Sequence, residues 1–348
     1  MSSDRACVVG TGAWGTTLAA LLAEKGIPVE LWARTEDEAR TLQVRRENSR
    51  FLPGKVFPDD LSVTHDPEQA LHGADLVLLV VPAQTMRENA ERIAPFLSAG
   101  ATVVSAAKGL EIDTRLRISQ VLDEVWGPEL SRGVCAVSGP NLAREIAAGL
   151  PASTVVASRD LDAAAAVQEA LSTPRFRVYA HDDIVGVELA GALKNIIAVG
   201  AGAADAFGYG DNAKAALMSR GLAEIARLGV AAGANPLTFA GLAGFGDLVC
   251  TCTSQHSRNR YVGEELAKGR SWDEIRASMH QVAEGVYTTV AARQLAQDHG
   301  VEMPIAEAIF QVIFRGMAPQ QAVEAFFSRA PKRELEGHLE EWLERVEG

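Results

Sequence analysis

Short apolar runs alternate with longer helix-like stretches through the first half of the chain. Strands are predicted at 6–9, 29–33, 76–81, 102–106, 134–137, 154–157 and 175–179, and helices over 14–25, 142–148 and 162–171. The run Leu76-Val77-Leu78-Leu79-Val80-Val81 has no polar position, which is the pattern of a strand covered on both faces. This alternation predicts an α/β fold on a doubly wound parallel sheet. Proline, glycine and charge between 45 and 58 predict a loop-rich excursion. Strand signals stop after Asp183, and from Glu188 onward the pattern is helical and rich in Ala and Gly. The expected division is therefore 1–187 and 188–348. Charges alternating at helical spacing from Lys332 to Gly348 predict a solvated terminal helix.

At 348 residues the chain is long enough for two cores. Its net charge of −12 argues against a nucleic-acid partner and requires any anionic substrate to be held by a local cluster of donors. No stretch is expected to approach the roughly 20 apolar residues of a membrane span. No signal peptide is read at the N-terminus, so a cytoplasmic enzyme is expected. The four cysteines have no disulfide-framework spacing, and Cys250 and Cys252 lack a second ligand pair, so no metal is expected.

Gly10-Thr11-Gly12-Ala13-Trp14-Gly15 ends the first predicted strand and opens a helix. In that setting a G-x-G-x-x-G motif gives a tight turn, a close backbone approach to a pyrophosphate, and close helix–strand packing. A Rossmann domain binding a dinucleotide through Gly10, Gly12, Ala13, Trp14 and Gly15 follows. The second strand ends in Arg34 with no acid at its tip, which favours NADPH (NADP) through the 2′-phosphate. Glu36 and Asp37 lie slightly later and keep NADH (NAD) open.

Ligands of such sheets bind beyond the carboxyl ends of the strands. Lys108, Gly139 and Asn141 follow strands there and should converge near the nicotinamide; Asn141 reads equally as a helix cap. In the helical half, Lys194 and Asn195 interrupt an apolar helix, where the lysine either snorkels or faces a cleft. Gly241-Leu242-Ala243-Gly244-Phe245-Gly246-Asp247 is too glycine-rich for a helix and reads as a shaped loop. Ser257-Arg258-Asn259-Arg260 opens another helix with Ser257 as its N-cap, a good phosphate cradle. Val282-Ala283-Glu284-Gly285 reads as a further break.

Together with Glu188-Leu189-Ala190-Gly191-Ala192-Leu193-Lys194-Asn195 and Ser138-Gly139-Pro140-Asn141, and in this order, these motifs resemble the signatures of the bacterial-type NAD(P)-dependent glycerol-3-phosphate dehydrogenases. The resemblance implies a C-terminal all-helical domain like that of 6-phosphogluconate dehydrogenase. It implies reversible reduction of dihydroxyacetone phosphate to sn-glycerol 3-phosphate for glycerophospholipid synthesis. It makes Lys194 the catalytic proton donor and acceptor, with Lys108 and Asp247 beside it. Lys108, Gly139, Asn141, Lys194, Asp247, Ser257, Arg258 and Asn259 would surround the substrate. Trp14, Arg34, Lys108, Ala143, Arg258, Val282 and Glu284 would contact the cofactor. A homodimer is expected by analogy with other helical domains of this type.

Overall fold

The computed structural model describes residues 4–131, 133–279 and 281–327. The tail helix expected at 332–348 lies outside the described residues. Eight strands form one sheet: β1 (Ala6–Val9), β2 (Val29–Trp32), β3 (Leu61–Thr64), β4 (Leu76–Leu79), β5 (Thr102–Ser105), β6 (Cys135–Ser138), β7 (Ala152–Ser158) and β8 (Phe176–His181). Their spatial order is β3-β2-β1-β4-β5-β6-β7-β8. Every pairing is parallel except β6 with β7, which run antiparallel. The chain thus winds outward from β1 in one direction, then returns to β4 and winds outward in the other. This leaves a crevice at the carboxyl ends of β1 and β4. Val9, Trp32, Leu79 and Ser105 share one register row, so the segments that follow them emerge side by side.

β1 and β4 are wholly buried because alternate residues feed opposite faces of the sheet. Val8 and Leu78 join one core, Val9 and Leu79 the other. β3 carries no strand signal of its own. Leu-Ser-Val-Thr is a short mixed segment at the sheet edge, held in place by β2 rather than by its composition.

Fifteen α-helices are described: α1 (Ala13–Glu24), α2 (Glu36–Arg45), α3 (Pro67–Leu71), α4 (Met86–Ile93), α5 (Ile118–Ser131), α6 (Ala143–Ala147), α7 (Leu161–Leu171), α8 (Ile184–Ala206), α9 (Gly210–Ala231), α10 (Asp247–Thr253), α11 (Arg258–Ala267), α12 (Trp272–Ser278), α13 (Glu284–Asp298), α14 (Pro304–Arg315) and α15 (Pro319–Phe327). The helical half differs from expectation at the start of α8 and at the glycine-rich segment. Helix α8 starts at Ile184, four residues before Glu188, because the Asp183 carboxylate caps it by accepting from the Gly186 N–H. The glycine-rich segment at 241 is no loop: Leu242–Gly246 forms a π-helical turn that runs straight into α10. Gly244 fits there because its bare Cα lies against the Phe239 backbone, where a Cβ would collide.

Helix α8 is the axis of the second half. Helices α9, α10, α11 and α13 pack around it. It is long and apolar enough to cross a membrane, contrary to the expectation that no stretch approached that length, yet 89% of its apolar window is buried inside the protein. Its apolar length is therefore spent on the core of the helical half. That core also takes in Leu110, Ala136, Val155 and Ala157 from the sheet half.

Candidate active site

The three glycines of the first turn do different work. Gly10 has φ +113°, and a Cβ there would meet the Val80 carbonyl oxygen at 2.6 Å. Gly15 lies against the Gly10 carbonyl, which a Cβ would strike. A Cβ on Gly12 would meet nothing within 4 Å, so this position faces open space at the start of α1, where no side chain caps the free N–H groups. Free N–H groups at an open helix start suit a phosphate. Asn48 braces this turn, donating to the Thr11 carbonyl at 2.7 Å and to the Thr16 hydroxyl at 2.9 Å. Arg34 stands exposed at the tip of β2, beside Glu36 and Asp37. Ala143 opens α6 and Val282 lies just ahead of α13, both half-buried.

Several buried polar atoms find no partner among the described residues. They include the Trp14 indole nitrogen, Ser138 Oγ, Asn141 Oδ1 and Glu284 Oε2. A buried, unpartnered donor or acceptor is costly unless a ligand satisfies it. The other oxygen of Glu284 accepts from the Ala83 N–H at 3.1 Å. Burial pushes the Glu284 carboxyl pKa up, against the smaller opposing pull of that N–H and of Arg258. Open backbone at Gly12 and orphaned acceptors further along the cleft suit a ligand with phosphates at one end and an amide at the other, which fits a nicotinamide dinucleotide.

Where the sheet half meets α8 and α10 lies a three-residue ion cluster. Lys108, from the segment after β5, donates to Asp247 Oδ2 at 2.7 Å and to the Gly139 carbonyl at 2.7 Å. Lys194, from the middle of α8, donates to Asp247 Oδ1 at 2.9 Å and to the Thr251 hydroxyl. Lys194 is 5% exposed and Asp247 2%, so the lysine does not snorkel outward. Burial pulls the Lys108 pKa down to about 8, with the Asp247 charge opposing and the Lys194 charge assisting. Burial alone would raise the Asp247 pKa; the two ammonium groups outweigh it and hold this carboxyl below the usual range.

The neighbouring amides are tied together. Asn195 Nδ2 donates to the Lys108 carbonyl at 3.1 Å, Asn259 Nδ2 donates to Asn195 Oδ1 at 2.8 Å, and the Gly285 N–H donates to Asn259 Oδ1 at 2.9 Å. Asn259 thus joins α8, α11 and α13. Asn141 is not a helix cap: Leu142 occupies that position in α6, and the Asn141 amide donates to Thr154 Oγ1 at 3.0 Å. Gly139 has φ +147°, and a Cβ there would sit 2.9 Å from the same Thr154 hydroxyl. Ser257 caps α11 by accepting from the Arg260 N–H. Arg258 is exposed in the first turn, while Arg260 is spent on Asp205 and Glu264. The Glu284 carboxylate lies near enough to act on the Arg258 charge.

Thr251 was missed in the sequence. Its signal is the four-residue spacing from Asp247, which carries meaning only once 247 is recognised as the first residue of a helix.

Two lysines, one from each half of the chain, thus meet on one carboxylate. Models of the N-terminal and C-terminal parts of NAD-dependent glycerol-3-phosphate dehydrogenase match residues 5–164 and 183–324. The chain belongs to this family. A glycerol-3-phosphate dehydrogenase [NAD(P)+] of Dehalococcoides mccartyi is 49% identical over 335 residues, 96% of this chain and 93% of that protein. One from Chlorobium limicola is 48% identical, with 94% and 98% covered. The crystal structure of the Coxiella burnetii glycerol-3-phosphate dehydrogenase superposes with a TM-score of 0.89 at 38% identity, covering 94% of this chain and 99% of that one. Membership of the family also fixes the architecture, a Rossmann-type domain followed by a helical one.

Proposed function

We propose that this chain reduces dihydroxyacetone phosphate to sn-glycerol 3-phosphate, reversibly, with NADPH preferred and NADH as the alternative, supplying glycerophospholipid synthesis. The observation that carries the reading is the Lys108–Asp247–Lys194 cluster, buried at the junction of the two halves. The division proposed is 1–187 for the cofactor and 188–348 for substrate and catalysis. Gly10, Gly12, Ala13, Trp14, Gly15, Arg34, Ala143, Val282 and Glu284 are assigned to the dinucleotide, with Lys108 and Arg258 shared between cofactor and substrate. Four free cysteines suit a reducing compartment such as the cytoplasm. Assembly as a homodimer is proposed by analogy alone.

The nicotinamide supplies the hydride that the substrate's carbonyl carbon accepts. As that carbon is reduced, negative charge grows on the carbonyl oxygen. Lys194 stabilises the developing oxyanion and passes a proton to it from Nζ; in the reverse direction the same nitrogen takes the hydroxyl proton. Asp247 holds the Lys194 and Lys108 ammonium groups in one orientation. Thr251 accepts from Lys194 and so fixes which of its protons remains for the substrate. Arg258, together with Ser257, Asn259 and the free N–H groups of α11, is assigned to the phosphate. Gly139 and Asn141 line the substrate's other side. Binding energy gathered at the phosphate orients the carbonyl at the far end.

The test is a paired assay of NADPH and NADH oxidation with dihydroxyacetone phosphate, run beside a panel of 2-keto acids. Turnover confined to the triose phosphate is expected, faster with NADPH at limiting cofactor. Turnover of keto acids alone overturns the substrate, and a preference for NADH overturns the role of Arg34.

A further inference from the structure

The segment that carries Lys108 runs from the end of β5 to the start of α5, crossing α8. Three positions of α8 receive it. Glu188, Gly191 and Asn195 are spaced three and four apart and so lie on one face of the helix. Asn195 holds the Lys108 carbonyl. A Cβ on Gly191 would strike Ser138 Oγ and approach the Lys108 side chain at 3.7 Å. Glu188 holds the other end of the segment. Its Oε1 accepts from the Ser119 N–H at 2.7 Å, and its Oε2 accepts from Ser119 Oγ at 2.6 Å and from Arg117 Nη1 at 2.5 Å. Arg117 Nη1 also donates to Ser119 Oγ at 2.8 Å. The Arg117 and Glu188 side chains are 10% and 6% exposed.

Two buried charges at this place need an explanation, because burying an ion pair gains little net stability and an apolar pair of similar volume commonly does as well. In some proteins such a pair adds geometric selectivity, tolerating one register and one rotation of the packed elements. Glu188 lies six residues before Lys194, about 9 Å along the helix axis. Lys194 projects from the next face round. A small rotation of α8, or a slip of the crossing segment, therefore changes the separation of the Lys108 and Lys194 nitrogens.

We propose that Arg117 and Glu188, with Ser119, are positioning residues that lock the Lys108 segment onto α8 and so set the spacing of the two lysines on Asp247. The proposal rests on the reading of Lys108 and Lys194 given above. None of the three touches the reacting atoms. They act through the rotation of α8 and the path of the segment.

The test compares Glu188→Gln, the double variant R117M/E188M, and the milder Ser119→Ala in the full-length enzyme. Rates are normalised to sites that bind NADPH, counted by fluorescence titration, and Lys194→Ala runs beside them. Glu188→Gln should lower kcat by about tenfold to a hundredfold, the usual cost of misplacing a catalytic group by about 1 Å, with the NADPH Kd nearly unchanged. R117M/E188M should regain the parent melting temperature and still have a low kcat. Ser119→Ala should fall between. In the first two variants the alkaline limb of kcat/KM should move upward. Lys108 faces Asp247, Lys194 and Cys250, and once released toward water its pKa climbs from about 8 toward the ordinary lysine value.

A purely structural pair would lower the melting temperature in Glu188→Gln and leave both normalised kcat and the pH limb alone. That result overturns the proposal, as does full kcat in R117M/E188M. If Lys194→Ala itself keeps its activity, the underlying reading of the lysines fails. If Lys194→Ala is inactive while the double variant is fully active, only the positioning role falls. Should Glu188→Gln fail to fold, R117M/E188M and Ser119→Ala give the same decision.

Discussion

Replacing Asp247 with Asn keeps the size of the side chain and removes its charge. In the parent, one carboxylate 2% exposed accepts from the half-buried Lys108 ammonium at 2.7 Å and from the buried Lys194 ammonium at 2.9 Å. The variant leaves two cations facing each other with no anion between them. Removing one partner from a buried ion pair costs about 3–5 kcal/mol. For a domain of this size that is a fall in melting temperature on the order of 10 °C. The loss must also depend on pH. Lys108 would lose the partner that opposes its desolvation, and its folded pKa would drop below the parent value of about 8. Between that lowered value and the ordinary lysine pKa, the unfolded chain binds the extra proton, so stability rises with pH. The gap between parent and variant should be widest in mild acid, narrow as pH rises toward about 8, and level off above it. Thermal melts across that range measure it, and single-turnover reduction of dihydroxyacetone phosphate measures the accompanying loss of rate, expected at about a hundredfold or more. A gap that is small, or that stays constant between mild acid and pH about 8, would refute the assignment of Asp247 as the shared counter-charge of the two lysines.

Other expectations follow from the same geometry. Lys194→Ala should lower kcat by about a thousandfold or more while NADPH titration still shows binding, since the lysine meets Asp247 and Thr251 rather than the phosphate cradle. In the parent, the rate of ketone reduction should decline above pH about 8 as Lys108 loses its proton, read from the pH profile of kcat/KM. Arg258→Ala should raise KM for dihydroxyacetone phosphate about tenfold or more with a smaller change in kcat, because a charge-assisted bond to phosphate contributes about 1.5–3 kcal/mol. Added inorganic phosphate should then inhibit the variant less than the parent.

Much of the sheet could be read from the chain because parallel strands covered on both faces leave long apolar runs, as at Leu76–Leu79. β3 left no such run, since an edge strand of four mixed residues owes its conformation to its neighbour. The reversal between β6 and β7 was equally silent: the helix over 142–148 could be read, but a strand–helix–strand pattern looks the same whether the second strand returns parallel or antiparallel. At the site, residues that follow strand ends could be placed by topology, which is how Lys108 and Gly139 came into view. Thr251 could not, because its relation to Lys194 spans 57 residues and depends on the π-turn at Leu242–Gly246 delivering α10 at the right angle. A run of glycines marks a special backbone, but it does not say whether that backbone will be a loop or a wide helical turn.

Helix α8 has one more consequence. Its 23 residues are almost wholly enclosed, and the enclosing surface includes Val155 and Ala157 of the sheet as well as the helices around it. Severing the chain between β8 and α8 would therefore not release two free-standing modules. The downstream fragment would carry a bare apolar rod, and the upstream one an uncovered flank, so each should aggregate when expressed alone. Recovery in soluble form should come only when both pieces are made together and can reassemble.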